Sequence, residues 1–338
     1  MRRLMIAALM LTTLTFFGSP RLVDACAGLI GSNGAVNLGR TTTLAAYHEG
    51  VEHYVTSFEF LGGGGEFGTL IPLPGVPTNV ERGGAWTLQR LVKETQPRRQ
   101  FREDALAGAS APAAEVLIEV RIDALDITVL KGGAQDVAKW ATDHGFRLSP
   151  DAPEVLDFYA QRSPIFLAAV FDGDAAKARG QQAGDGTPVH LTIPTTNPWV
   201  PLRILGLGKK PADQVQADVF LLTDEQPSLL PGPHEGMSLA HNAAATPTLL
   251  DDLRADDGMA WVPTSAWLTK LSIDTPASEL TYDLAVDASG QDQPSWRAAG
   301  LEIASEGDDD VLDWILGGVA ASILGFGVFT GAVARKRS

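Results

Sequence analysis

The run Trp314–Ala334 is 21 residues long without a charge, and it constrains the chain more than any other feature. That length of apolar sequence matches one helical crossing of a bilayer. Glu306, Asp308, Asp309 and Asp310 precede it, and Arg335, Lys336 and Arg337 follow. The bias of basic residues toward the cytoplasmic side then puts the tail (335–338) inside and the preceding chain outside. At the other end, Arg2 and Arg3 lead into the apolar run Leu4–Phe17, and small residues follow at Ala25 and Ala27. This is the charge, length and cleavage pattern of a secretory signal peptide, read as 1–25. The expected location is therefore the plasma membrane, single-pass, with the N-terminal domain outside and the C-terminus in the cytoplasm. Gly317, Ala321 and Gly325 recur every fourth residue of the apolar run. Such a face lets two membrane helices approach closely, so homodimerisation through it is an expectation.

Between the two segments, residues 26–310 hold 20 basic and 39 acidic residues, a net charge of −19. An acidic surface of this size excludes the basic face that nucleic acid requires. It also disfavours flat docking on anionic lipid. The chain has one cysteine, Cys26, so no intramolecular disulfide can form and the fold rests on its own core. A plain cleavage near Ala25 or Ala27 is the favoured reading, and lipidation of Cys26 is left open.

Strand-like runs at 41–46 and 51–60 flank Glu49-Gly50 and read as a hairpin. Gly62–Gly65 break the chain before Thr69-Leu70-Ile71-Pro72-Leu73-Pro74, an extended segment whose prolines suggest a sheet edge. Trp86, Leu88, Leu91 and Val92 have helical spacing. Two strands surround Asp123-Ala124, and a helix over 136–144 ends at Gly145. Asp151 with Glu154 suggests a capping box on a second helix through Tyr159. Strands follow at 165–171, 189–193 and 217–222, with a surface loop over 173–186. Beyond them come a short helix after Thr246-Pro247 and strands at 267–273 and 280–286. Strands outnumber helices without βαβ alternation. The expected class is α+β, mostly antiparallel sheets with a few packed helices, plus the one C-terminal transmembrane helix. The exported domain spans 26–290, with any subdomain break near 225–245, and a polar stalk at 291–313 leads to the membrane.

Familiar motifs fail on context. Gly63-Gly64-Gly65-Glu66-Phe67-Gly68 has dinucleotide-loop spacing, but the proline-bearing segment after it cannot open the helix that receives a pyrophosphate. His48 and His53 are five apart, about 140° around a helix, so they cannot form a zinc-protease pair. On a hairpin they fall diagonally on one face, and they are the candidates for a metal site, against solvated hairpin histidines. His190, His234 and His241 have no paired ligand spacing, and His144 closes a helix. Asp172-Gly173-Asp174 lacks later calcium ligands and reads as a turn. Asp251-Asp252 and Asp256-Asp257 read as a solvated helix face. No catalytic residue and no cofactor are assigned. Gly63, Gly65, Phe67 and Gly68 are named as a candidate ligand-facing loop beside the reading as a structural turn.

The residues Ala25-Cys26-Ala27-Gly28 and Glu66-Phe67-Gly68-Thr69-Leu70-Ile71-Pro72-Leu73-Pro74 with Pro77 resemble the bacterial family catalogued as domain of unknown function 2330. Leu91 with Thr95 and Pro97, Leu125–Leu130, Trp140, Gly145-Phe146, Tyr159, Pro201-Leu202-Arg203, Trp267–Leu271 and Asp283 extend the resemblance. Departures are Ala27 and Leu29-Ile30, where that family usually has glycine and aromatics, and the lack of further cysteines. The resemblance implies export, often with a membrane tether, and brings no established activity. The favoured function is a non-catalytic binding module with an envelope protein as partner. The alternative is an exported hydrolase whose site joins His and Asp or Glu distant in sequence, and a third option is cation binding by the acidic face.

Overall fold

The computed structural model describes residues 23–24, 28–31, 34–35, 40–59, 65–95, 116–182 and 185–301. In chain order the strands begin with β1 (Val23–Asp24), β2 (Gly28–Gly31), β3 (Gly34–Ala35), β4 (Arg40–His48), β5 (Val51–Glu59) and β6 (Glu66–Pro72). Next are β7 (Asn79–Arg82), β8 (Val116–Ile122), β9 (Leu125–Lys131), β10 (Ile165–Asp172), β11 (Gly186–Pro194) and β12 (Trp199–Val200). The last are β13 (Gln214–Thr223), β14 (Ser228–Leu230), β15 (Met237–Ala244), β16 (Trp267–Pro276) and β17 (Leu284–Asp287). The helices are α1 (Thr87–Thr95), α2 (Ala134–Asp143), α3 (Ala152–Ala160), α4 (Gly173–Ala178), α5 (Pro247–Ala255) and α6 (Trp296–Ala299).

An eight-stranded sheet runs β15-β16-β13-β4-β5-β11-β7, with β1 attached to β4. Its pairings are antiparallel except β13 with β4 and β1 with β4. A six-stranded antiparallel sheet runs β3-β2-β6-β10-β9-β8, and β12-β17-β14 form a small third sheet. The α+β reading with mostly antiparallel sheet therefore holds.

The two large sheets share a core, and helices cover their outer faces. Along β10, Ile165, Leu167, Ala169 and Phe171 enter the core between the sheets. Phe166, Ala168 and Val170 face α2 and α3, where Trp140, Leu156 and Tyr159 pack. Along β13, Val215, Ala217, Val219 and Leu221 point inward. Phe220 and Leu222 meet Leu88 and Leu91 of α1 and Leu249, Leu250 and Leu253 of α5. Burial on both faces explains why Ile165–Phe171 is an unbroken apolar run rather than an alternating one. Each of the Val, Leu, Ile and Phe side chains among these, fully buried, contributes about 1.5–3 kcal/mol.

Several expectations change on contact with the structure. The segment from Thr69 is an extended strand, as one reading of it expects; Thr69 and Leu70 are interior because β6 lies between β2 and β10, and Pro72 falls beyond the residues that pair with β2, where its missing N–H breaks no bond of that ladder. The 173–186 region opens with α4, capped by the Asp172 carboxylate, which accepts from the Asp174 and Ala175 amides at 3.0 and 2.9 Å. Asp151 precedes α3 without a side-chain cap bond, since its carboxylate accepts from the Gly208 amide instead. Asp256 is buried rather than solvated and accepts from the Ala85 and Trp86 amides and the Thr87 hydroxyl at the start of α1. Chain read as stalk from 291 is folded as far as 301, where α6 buries Ala298 and Ala299. The region near 225–245 contributes β15 to the large sheet. Among the described residues no helix is long and apolar enough to cross a membrane. Trp314–Ala334, with Gly317, Ala321 and Gly325, and the segment 1–22 lie outside the described residues.

Candidate functional site

At one end of the sandwich the β4–β5 turn, the chain after β11, the end of α3 and the start of α6 enclose an open cleft of about 580 Å³. Its lining includes Arg162, Ser163, Asn197, Trp199, Ser295 and Arg297. Behind it lies a buried network. The Asp283 carboxylate accepts from the Tyr159 hydroxyl (2.8 Å), the Leu202 amide (2.7 Å) and the Arg203 amide (3.0 Å). Arg162 pairs with its other oxygen at 2.5 Å, and the side chains of this pair are 5 % and 0 % exposed. The Arg162 guanidinium also donates to the Phe158 and Ala298 carbonyls and lies 4.0 Å from the Phe158 ring centroid. Tyr159, Pro201-Leu202-Arg203 and Asp283, scattered along the family-like pattern, thus meet at one point. These bonds tie α3, the segment after β12 and the chain around Asp283 into one wall of the cleft, with the Arg162 guanidinium held by Asp283 and by two backbone carbonyls.

Beneath the cleft, Glu52 of β5 is fully buried, and no hydrogen bond of good geometry reaches either carboxylate oxygen, the Trp199 backbone amide being close enough only to act on its charge. It lines a chamber of about 10 Å³ with Tyr47, Trp199, Leu221 and Thr223. That volume is close to the minimum for one water. Burial raises the Glu52 acid to about 8, opposed by the Trp199 backbone. The group is therefore largely protonated at neutral pH, as a carboxyl without a counter-charge in a core must be. Trp199 belongs to both chamber and cleft, and the Tyr47 hydroxyl donates to the carbonyl of Thr195 on the cleft rim (2.9 Å).

The outer face of the eight-stranded sheet carries a second constellation. His190 of β11 sits opposite Glu81 of β7, and its Nδ1 is 3.1 Å from the Glu81 carboxylate. Its Nε2 is 2.9 Å from Nδ1 of His53 on β5. Trp261 stacks on His53 with ring centroids 4.0 Å apart and planes 4° from parallel. An ionised carboxylate only accepts, so His190 donates from Nδ1 and accepts at Nε2, and His53 donates from its own Nδ1. Nε2 of His53 is left with its lone pair. Burial, reinforced by the neighbouring His190 and His48, lowers His53 to about 4, so it stays neutral.

The two sequence-predicted histidines bond to different neighbours. His48 and His53 share a sheet face as expected, yet His48 Nδ1 bonds Asp224 at 2.5 Å while His53 turns to His190. Among the described residues no group of three or more His, Cys, Asp or Glu side chains is arranged around a metal position. In the glycine-rich segment, Gly63 lies outside the described residues. Gly65, at φ +84°, is tied through its amide to Asp174 and through its carbonyl to the Gly173 amide. Phe67 stacks on Phe171 at 4.8 Å, and Gly68 sits where a Cβ would lie 2.8 Å from Ile30 and Phe146. Local packing accounts for all three.

From sequence His190 is a histidine without paired ligand spacing, and Glu52, Glu81 and the cleft residues carry no motif. One signal was available for Glu52: it alternates in phase with Tyr54 and Phe58, the inward face of β5.

Comparison with known proteins adds kinship without chemistry. No curated protein matches the chain. The crystal structure of baculovirus P35 is similar at a TM-score of 0.40 and 9% identity, covering 73% of this chain and 96% of that one. A chain of the caspase-8/P35 complex gives 0.37 and 8%, covering 74% of this chain and 90% of that one. Likeness at that level carries no inference about what this chain does. Over residues 23–226 the chain matches the family described as an uncharacterized protein conserved in bacteria, DUF2330, and it belongs to that family.

Proposed function

We propose that the protein is a single-pass, membrane-anchored extracytoplasmic binding module that holds an envelope protein in the cleft beside Trp199. The cleft itself is the observation that carries this reading: about 580 Å³, edged by hydroxyl, amide and guanidinium groups on a wall fixed by the Asp283 network. Trp296, between the lining residues Ser295 and Arg297, is 49 % exposed. Trp and Arg are the residue types that most often anchor protein interfaces. Anchoring is supported by Trp314–Ala334 with its acidic and basic flanks, and export by the signal-like segment 1–25.

A photo-crosslinking residue in place of Asn197, in full-length protein in its own membrane, tests the cleft. A discrete adduct lost on combined Trp296→Ala and Arg297→Ala substitution supports it, and an adduct unchanged by those substitutions refutes it. For topology, protease added to intact spheroplasts should degrade the 26–310 domain. A domain left untouched sinks the anchoring proposal.

The Glu81–His190–His53 chain favours a second reading, an exported hydrolase in which His53 accepts a proton from an attacking water. Its test is turnover of ester, amide and phosphoester substrates that disappears in His53→Ala, and turnover unaffected by that change excludes it.

A further inference from the structure

We propose that His48 and His53 form a two-histidine site for a borderline divalent transition-metal ion such as Zn²⁺, Ni²⁺ or Cu²⁺, each imidazole oriented by a carboxylate-backed hydrogen bond. The two histidines flank the two-residue turn Glu49-Gly50, whose φ values of +49° and +81° close the β4–β5 hairpin tightly. His48 pairs with Val51 and Ala46 with His53. The two side chains therefore occupy one face of the hairpin as diagonal neighbours, within reach of long side chains.

What the hairpin alone does not specify, the neighbouring strands supply. Asp224, just beyond β13, accepts from His48 Nδ1 at 2.5 Å. Glu81, on β7, acts through His190, so that His53 Nδ1 also donates, at 2.9 Å. In both rings the proton is thereby fixed on Nδ1, and the lone pair is on Nε2. Metal-bound histidines are held in this way, with the second ring nitrogen donating to a carboxylate or to a group that a carboxylate orients. Trp261, stacked on His53, fixes the plane of that ring. His48 is 40 % exposed, so an ion can arrive from solvent. Two imidazoles with water completing the shell suit Zn²⁺, Ni²⁺ and Cu²⁺ rather than Mg²⁺ or Ca²⁺, which prefer oxygen ligands. The negative charges of Asp224, Glu81 and Glu49 favour a cation over an anion at this end of the hairpin.

The test is isothermal titration of the purified full chain with Zn²⁺, Ni²⁺ and Cu²⁺, using Mg²⁺ as the oxygen-preferring control. One saturable site is expected for the first three ions. His48→Ala and His53→Ala should abolish it, while Asp224→Asn and Glu81→Gln should weaken it about tenfold or more. His241→Ala, on β15, should leave it unchanged. Nitrogen hyperfine splitting from two imidazoles in the Cu²⁺ electron paramagnetic spectrum gives a readout independent of affinity. His48 is exposed, so its variant keeps the fold, and a circular dichroism spectrum verifies that. The proposal is overturned if no saturable binding occurs, or if His48→Ala binds as the unaltered chain does.

Discussion

Glu52 makes a prediction whose size follows from its surroundings. The unfolded chain exposes an ordinary carboxyl with a value of 4.5, and the folded chain holds it at about 8. Between those values the folded state keeps a proton that the unfolded state releases. Stability must therefore fall as pH rises, by about 1.4 kcal/mol per pH unit while one proton separates the states. Below pH 4.5 this penalty is absent. At pH 7 it amounts to about 3 kcal/mol, and beyond pH 8 it levels near 5 kcal/mol, an upper bound because water entering the chamber would relieve part of it. Glu52→Gln keeps the shape and removes the titration. It carries a fixed cost of about 1–3 kcal/mol for a buried amide without partners. Urea unfolding followed by tryptophan fluorescence from pH 5 to 9 should show the unaltered chain losing stability steadily with pH. The Glu52→Gln curve should run flatter, starting lower in acid and crossing above near neutrality. Parallel curves for the two chains would refute the reasoning, since they would mean that Glu52 ionises as readily folded as unfolded.

Three further substitutions probe the packing that holds the cleft and sheets in place. Asp283→Ala strands the Arg162 guanidinium and the Leu202 and Arg203 amides in a buried site, and should cost about 3–5 kcal/mol by urea denaturation. Gly68→Ala drives a methyl to within 2.8 Å of Ile30 and Phe146 and should cost about 1–3 kcal/mol, visible as a lowered Tm. Asp256→Ala removes the acceptor shared by the Ala85 and Trp86 amides and the Thr87 hydroxyl, and should cost about 1–2 kcal/mol with faster amide exchange in α1.

Local features of this fold are legible in the sequence because local physics decides them. Glu49-Gly50 sets a two-residue hairpin, Leu88 and Leu91 give α1 its buried face, and the Thr246 hydroxyl accepts from the Leu249 amide to start α5. What the sequence hides is which strands lie beside one another. His53, Glu81 and His190 come from three strands, with His190 137 positions from His53 and 109 from Glu81. Only the order β5-β11-β7 and the register that sets His190 against Glu81 bring them together. A one-residue slip would turn His190 into the core between the sheets. The proline-rich segment from Thr69 misleads for a related reason. Proline breaks a ladder only where its missing N–H would be paired, and Pro72 lies past Leu70, the last residue of β6 that pairs with β2. The acidic neighbours of Asp256 point to a solvated face, whereas the start of α1 draws it in to satisfy the Ala85 and Trp86 amides and the Thr87 hydroxyl.

The cleft and the Glu52 chamber share Trp199, and Tyr47 ties the chamber to Thr195 on the cleft rim. A movement of Trp199 that brings water or a counter-charge to an ionised Glu52 therefore displaces a residue that a cleft ligand would touch. Linkage makes that relation reciprocal: a partner that favours the closed wall favours the protonated acid by the same factor. Capture of a partner at the cleft should accordingly weaken as pH climbs through about 8, the value at which folded Glu52 loses its proton. The weakening should disappear in Glu52→Gln, whose wall stays closed across the range. Crosslinking yield from residue 197, measured from pH 6 to 9 in both chains, separates this from a general loss of binding in alkali. Equal pH dependence in the two chains would mean that Trp199 holds its position whether or not Glu52 is charged, and that chamber and cleft act independently.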